Sequence, residues 1–145
     1  MSSRSYWHNF NRGVITAFRA NKGQVNGRKN PVILLTTTGA RSGRKHVTPL
    51  NFSRDGSDLV VIASKGGSAT HPDWYINLVA NPEVEIEDGS ETFRAVAKVA
   101  SEPRRTMLYD AQAREMPFFN GYRKRVKARE IPVVVFERIT NGSDK

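Results

Sequence analysis

The tripeptide Asp-Gly-Ser occurs twice, at Asp55-Gly56-Ser57 and at Asp88-Gly89-Ser90, each time between two short runs of extended character. Asp-Gly between such runs is among the strongest local signals for a β-hairpin, because glycine supplies the backbone twist that a tight turn needs. Two antiparallel hairpins follow, one joining residues 46–54 to 58–64 and one joining 83–87 to 91–100. In the second, Val84 and Ile86 alternate with Glu83, Glu85 and Glu87, and Phe93, Ala95, Ala97 and Val99 alternate with Thr92, Arg94 and Lys98. Each of these strands therefore has one apolar face and one wet face.

Around the hairpins the other elements fall into place. Residues 31–37 are apolar, β-branched and short, which predicts a buried strand, and residues 131–138 predict a last one. Pro49 lies within the strand expected at 46–54, where it has no N–H for a ladder, so that strand is an edge or carries a bulge. Tyr6, Trp7, Phe10, Val14 and Phe18 recur at helical spacing with Arg4, Arg12 and Arg19 between them, predicting an amphipathic helix over residues 3–20 and a polar loop over 21–30. Pro72 opens and Asn81-Pro82 closes a short helix over 73–80, and Ser101 with Pro103 starts another running to about Glu115. Six strands with few helices and no β-α-β alternation predict a mainly β fold with flanking helices, a six-stranded antiparallel barrel with helices at its rim. The expected organisation is one domain over residues 1–145, with 1–30 as N-terminal helix and loop and 31–138 as barrel.

Charge narrows the partners. The chain has 23 Lys and Arg against 14 Asp and Glu, a net +9, and no cysteine. Thiolate chemistry and Cys-ligated metal sites are excluded, and the absence of cysteine together with an N-terminal stretch lacking a signal-like apolar core leads us to expect a cytoplasmic chain. The excess is uneven: the first carboxylate is Asp55, after ten Lys and Arg, and Arg123, Lys124, Arg125, Lys127 and Arg129 crowd five cations into seven residues. Such asymmetry points to an anionic partner.

The most unusual segment runs from Thr36 to His46 and includes Gly39-Ala40-Arg41-Ser42-Gly43-Arg44-Lys45. Glycines allow backbone N–H groups to converge on an anion, and three cations add charge-assisted bonds to phosphate or carboxylate. The segment has neither Walker nor dinucleotide-fingerprint spacing. An ordinary solvated turn is the competing reading. Ser64-Lys65-Gly66-Gly67-Ser68 leaves the next strand as a small flexible turn of the same character, and His71, Trp74, Tyr75 and Asn77 surround the helix that follows.

Taken in order, residues 34–50, then Ala63-Ser64-Lys65-Gly66-Gly67, then Pro72-x-Trp74-Tyr75-x-Asn77-Leu78 and Asn81-Pro82 resemble the deazaflavin-dependent nitroreductase and quinone reductase family, split-barrel oxidoreductases that use coenzyme F420. The likeness spans about residues 31–136. It implies a split β-barrel of the FMN-binding type. It also implies that Gly39, Arg41, Ser42, Gly43, Arg44 and Lys45 hold the coenzyme phosphate and acidic tail, and that His46, Val47, Thr48, Pro49, Leu50 and Asn51 line the same groove. Ile62, Ala63, Ser64 and Lys65, with Asp73, Trp74, Tyr75, Ile76 and Asn77, correspond to the contacts with the deazaflavin ring and its side chain, Ser64 lying nearest the reacting carbon. Where some members place tyrosines over the ring, this chain has Asn51, Met116 and Phe119 and keeps Tyr122; these four are the expected substrate wall, with capping of the barrel core as the other reading. The implied activity is hydride transfer from reduced F420 to a small electron-poor acceptor, a quinone, an activated enone or lactone, or a nitro compound. Ser64 or Tyr122 would supply a proton or hydrogen bond to that acceptor.

Two rival classes make different demands. A nucleic-acid-binding barrel interleaves aromatics with cations on a strand face, whereas these strands carry Val, Ile and Ala, so no nucleic acid partner is expected. An FMN-using relative of the same fold is the alternative within oxidoreductases. Trp7, Phe10 and Phe18 opposite Arg4, Arg12 and Arg19 suit peripheral docking on an anionic membrane as well as packing across the barrel.

Overall fold

A computed structural model describes residues 3–21, 31–65, 70–126 and 129–140, with residues 3–10 as backbone. Gly66, Gly67, Ser68, Lys127, most of the 21–30 loop and the side chains of Tyr6, Trp7 and Phe10 lie outside that description.

Both Asp-Gly-Ser sequences form hairpins. β3 (Ser53–Asp55) pairs with β4 (Asp58–Ile62), Asp55 opposite Asp58, and β5 (Glu83–Asp88) pairs with β6 (Glu91–Val99), Asp88 opposite Glu91. In each the two loop residues are Gly-Ser, and Gly56 and Gly89 adopt φ of +62° and +64°, a conformation glycine enters without a Cβ penalty. β1 (Val32–Thr38) pairs antiparallel with β2 (Lys45–Asn51) on one side and β5 on the other, and β7 (Val133–Arg138) joins β6 to β4. The sheet is antiparallel, in the order β2-β1-β5-β6-β7-β4-β3.

It has seven strands where six are expected, and the difference lies at one residue. The strand anticipated over residues 46–54 is broken at buried Phe52, so that β2 pairs with β1 while β3 pairs with β4. β2 and β3 occupy opposite edges of the sheet, yet only Phe52 separates them in the chain. Cα atoms two positions apart lie at most about 7 Å from each other. The sheet therefore curls until its edges come within one residue of each other. Pro49 sits in edge strand β2, opposite Leu34, where its missing N–H breaks no central ladder.

The curl creates two apolar layers. Ile33, Leu35, Leu59, Val61, Val84, Ile86, Ala95, Val134 and Phe136 point inward to a core that Phe52, Trp74 and Leu78 complete. Val60, Ile62, Val133 and Val135 point outward, under α3 (Arg104–Glu115) and α4 (Phe118–Arg125), against Leu108, Tyr109, Met116 and Phe119. Burial on both faces explains why β4 and β7 are unbroken apolar runs, while β5 and β6, wet on one face, alternate. α4 goes unannounced in the sequence because Asn120 and Gly121 are weak helix formers; it is held by tertiary contacts, including Tyr109 Oη donating to the Phe119 carbonyl at 2.6 Å.

α1 (Ser3–Ala20) lies against β2. Its Val14 and Phe18, one helical turn apart, are buried, and Arg19 forms a two-pronged ion pair with Glu87 of β5, at 3.0 and 2.7 Å. Phe18 is thus committed to the sheet, a burial contributing on the order of 2 kcal/mol. Among the described residues no helix is long and apolar enough to cross a membrane. The late basic cluster is also largely engaged inside the molecule. Arg123 pairs with Asp110 at 2.6 Å and stacks on Tyr109, and Arg125 stacks on Tyr122.

Candidate functional site

Three of the expected segments are the β1–β2 turn, the end of β4 and α2 (Asp73–Ala80), and side-chain hydrogen bonds tie the third to the first. The first is the β1–β2 turn. Gly39 N–H donates to the Arg44 carbonyl at 2.7 Å and Gly43 N–H to the Gly39 carbonyl at 3.0 Å, with Gly43 at φ +71°. The Ser42 hydroxyl accepts from Arg44 N–H at 3.1 Å, so it shapes the turn. A Cβ on Gly39 would stand 2.5 Å from Ser42 Oγ and 3.0 Å from His46 Nε2, so a side chain there would displace the hydroxyl that bonds Arg44 N–H. Lys45 Nζ donates to Thr38 Oγ1 at 2.9 Å. Beyond it, Val47, Thr48, Pro49, Leu50 and Asn51 are half-buried along β2, and Asn51 Nδ2 donates to the Pro31 carbonyl at 3.2 Å.

Arg41 and Arg44 are exposed and, among the described residues, neither meets a carboxylate. Arg19, Arg54, Arg94, Arg104, Arg105, Arg123 and Arg138 each do. Arg12, Arg114 and Arg125 likewise meet no carboxylate among the described residues, but Arg41 and Arg44 stand together on a turn whose backbone is wound by two glycines.

The second segment is the end of β4. Ile62 faces the outer layer, Ala63 the inner core, Ser64 is 6% exposed and Lys65 is exposed at φ +49°, its Nζ donating to Thr70 Oγ1 at 3.2 Å. The third is α2. Trp74 is buried in the inner core, Tyr75 half-buried beside the His71 ring at 4.8 Å, Ile76 half-exposed and Asp73 exposed in the first turn. Asn77 ties the third segment to the first: its Oδ1 accepts from Ala40 N–H at 3.0 Å and its Nδ2 donates to Thr37 Oγ1 at 3.3 Å. One turn on, Asn81 Nδ2 donates to the Thr38 carbonyl at 3.3 Å.

The four residues of the expected substrate wall differ in exposure. Met116 and Phe119, 1% and 4% exposed, are packed in the outer layer with Ile62, whereas Tyr122 and its neighbour Phe118 reach the surface. Asn51 ends β2, two residues before Ser53, whose hydroxyl donates to Gln112 Oε1 of α3 at 2.9 Å.

Three residues that build this region lie outside the expected coenzyme contacts. Thr37, 1% exposed, receives Asn77, and Asn81 repeats the tie. Arg129 bonds the Ala63 and Ser64 carbonyls and His71. The i, i+4 spacing of Asn77 and Asn81 is a signal available in the sequence, since it puts both amides on one helix face. Nothing local distinguishes Arg129 from its basic neighbours.

A curled antiparallel sheet carrying a basic turn beside a short helix suits an anionic coenzyme, and comparison with known proteins specifies the class. The sequence profile described as F420H(2)-dependent quinone reductase matches residues 10–138. An F420H(2)-dependent quinone reductase of Mycobacterium tuberculosis strain H37Rv is 36% identical over 127 residues, covering 83% of this chain and 85% of that one. The solved structure of an F420-H2 dependent reductase, FDR-A, matches with a TM-score of 0.68 at 34% identity, over 74% of this chain and 94% of that chain. HutZ, described as a heme storage protein from Vibrio cholerae, shares the fold at 17% identity with a TM-score of 0.59, over 88% of this chain and 89% of its own. The chain belongs to the F420H2-dependent quinone reductase family. It is an F420-dependent oxidoreductase whose cofactor is reduced coenzyme F420. The exposed, unpaired Arg41 and Arg44 fit the phosphate and acidic tail of that group.

Proposed function

We propose that this enzyme reduces an electron-poor acceptor of quinone type, with activated enones, lactones and nitro compounds as further candidates, at the site formed by the β1–β2 turn, the end of β4 and α2. When bound, the coenzyme supplies the hydride from its deazaflavin C5. The chain's own task is to bind, orient and exclude water. Arg41, Arg44 and Lys45 hold the phosphate and acidic tail, and half-buried Val47, Thr48, Pro49 and Leu50 make a groove wall. Residues 62–65 seat the ring, and Asn77 keeps that seat in register with the turn. Ser64 donates a hydrogen bond to the acceptor oxygen as negative charge develops there. Tyr122 is the alternative donor. The single observation behind this reading is the Asn77 tie, which joins the basic turn to the helix that follows the ring segment.

On the same reading, residues 45–55 act as one strand bent at Phe52, which makes the curled sheet a six-stranded split barrel. The test is turnover of purified protein with reduced F420 and menadione, followed as return of the coenzyme's visible absorbance, beside titrations with F420 and FMN. Return of absorbance and tighter binding of F420 support the proposal. No turnover with any quinone or enone, or preference for FMN, overturns it. Peripheral contact of α1 with anionic lipid is proposed only for its first half, since Phe18 is buried against the sheet. Co-sedimentation with anionic vesicles that survives Trp7→Ala and Phe10→Ala would refute it.

A further inference from the structure

Arg129 stands in the basic run before β7, and its part-buried guanidinium reaches back to the connection between β4 and α2. Nη1 donates to the Ala63 carbonyl at 2.9 Å and Nη2 to the Ser64 carbonyl at 2.8 Å, and Nη1 lies 2.9 Å from His71 Nδ1. A guanidinium only donates, so His71 Nδ1 accepts and the imidazole proton sits on Nε2. One planar fork thus gathers three acceptors from the two ends of the connection.

Carbonyls of neighbouring residues in a strand point to opposite sides. Those of Ala63 and Ser64 instead meet two nitrogens of one group, and Lys65 follows at φ +49°, a left-handed conformation that non-glycine residues seldom adopt. In a planar trans peptide the N–H runs antiparallel to the C=O. The N–H groups of Ser64 and Lys65 are therefore both turned away from Arg129. Successive N–H groups turned to one side form a concavity that suits an electronegative atom.

We propose that Arg129 is a positioning residue for hydride transfer: by holding the Ala63 and Ser64 carbonyls and His71, it fixes residues 62–65 in the conformation that receives the polar edge of the coenzyme ring. The proposal rests on the reading that residues 62–65 seat that ring. Lysine cannot substitute, because a single ammonium lacks the fork that spans two carbonyls and an imidazole.

The experiment compares wild type with Arg129→Lys and Arg129→Ala by titration with oxidised F420, steady-state kinetics with menadione, and thermal melting. Both variants bind F420 roughly tenfold more weakly, the equivalent of one charge-assisted hydrogen bond. KM for reduced F420 rises while KM for menadione holds, and millimolar guanidinium, but not urea, restores affinity to Arg129→Ala. A folded variant with wild-type affinity, or one that guanidinium does not restore, overturns the proposal. Should neither variant fold, His71→Ala removes one acceptor and leaves both carbonyls. It weakens F420 binding by roughly threefold, and unchanged affinity counts against the proposal. Hydrogen exchange of wild type with and without F420 separates the two levels. If residues 62–65 gain no protection, the ring-seat reading fails. If they are protected and the variants bind normally, the role of Arg129 alone fails.

Discussion

Replacing Asn77 by alanine cuts the tie between the basic turn and α2. Two hydrogen bonds go: Ala40 N–H loses its acceptor at 3.0 Å, and Thr37 Oγ1 loses a donor at 3.3 Å. Ala40 is exposed and water can replace its partner, so that loss is small. Thr37 is 1% exposed, and a buried hydroxyl deprived of a partner costs about 1–2 kcal/mol. For a chain of this length each kcal/mol moves the melting temperature by about 2–4 °C, so a fall of about 2–8 °C is expected. The larger effect is on coenzyme binding, because a loosened turn must be reordered around the ligand and roughly tenfold in affinity is lost. Asn77→Asp separates the two contributions. It keeps an acceptor for Ala40 N–H, and the Thr37 hydroxyl turns to donate to the second carboxylate oxygen, which keeps most of the stability, but it places a negative charge beside Arg41 and Arg44, where the phosphate is to bind. Thermal melting and a fluorescence titration with F420 measure both variants. Wild-type affinity in Asn77→Ala at reduced stability would show that the tie is structural only and that the coenzyme does not span turn and helix.

Three further outcomes are expected. Arg41→Ala with Arg44→Ala leaves melting unchanged, since both side chains are exposed and meet no carboxylate, but it weakens F420 binding, more for longer oligoglutamate tails and less at high salt; an affinity independent of tail length and salt contradicts the assignment of the turn. His71 is held below its ordinary pKa of 6.5 by burial first and by the charge of Arg129 second. The unfolded chain therefore takes up a proton that the folded chain resists, so the stability from His71 is complete above pH 6.5 and is lost as pH falls through the lower folded value; melting curves against pH show this slope and His71→Gln removes it. Finally, Gln112 is fully buried, its Oε1 accepts from Ser53 Oγ at 2.9 Å, and its Nε2 finds no partner among the described residues. Replacing both, Ser53→Ala with Gln112→Met, stabilises by about 1 kcal/mol in urea unfolding, whereas Gln112→Met alone destabilises because it strands the serine hydroxyl.

Much of the architecture is local in origin and could be read from the chain. The two Gly-Ser turns depend on glycine at positive φ, the alternation in β5 and β6 depends on one wet face, and the run of residues that opens and closes α2 depends on proline. What escaped the sequence is long-range. The break at Phe52 exists because the two halves of one extended segment find different partners, Val32–Thr38 for the first and Asp58–Ile62 for the second, and no local signal records that exchange. The sequence leaves Met116 and Phe119 between a substrate wall and a cap on the barrel core; they pack in the outer layer because Val60, Ile62, Val133 and Val135 present a second apolar face that α3 and α4 must cover. The site divides in the same way. Its glycines and cations stood out by composition, but the contacts that hold them in place, Asn77 to Ala40 and Arg129 to Ser64, bridge 37 and 65 residues.

The central claim is that the β1–β2 turn, the end of β4 and α2 form one seat for reduced F420. A crystal structure of the protein with bound F420 tests it directly. The account predicts the coenzyme phosphate within hydrogen-bond reach of the turn at Gly39, Arg41 and Arg44, and the deazaflavin ring against residues 62–65. A ring lying instead over Phe118 and Tyr122, or a phosphate held away from the turn, would contradict it.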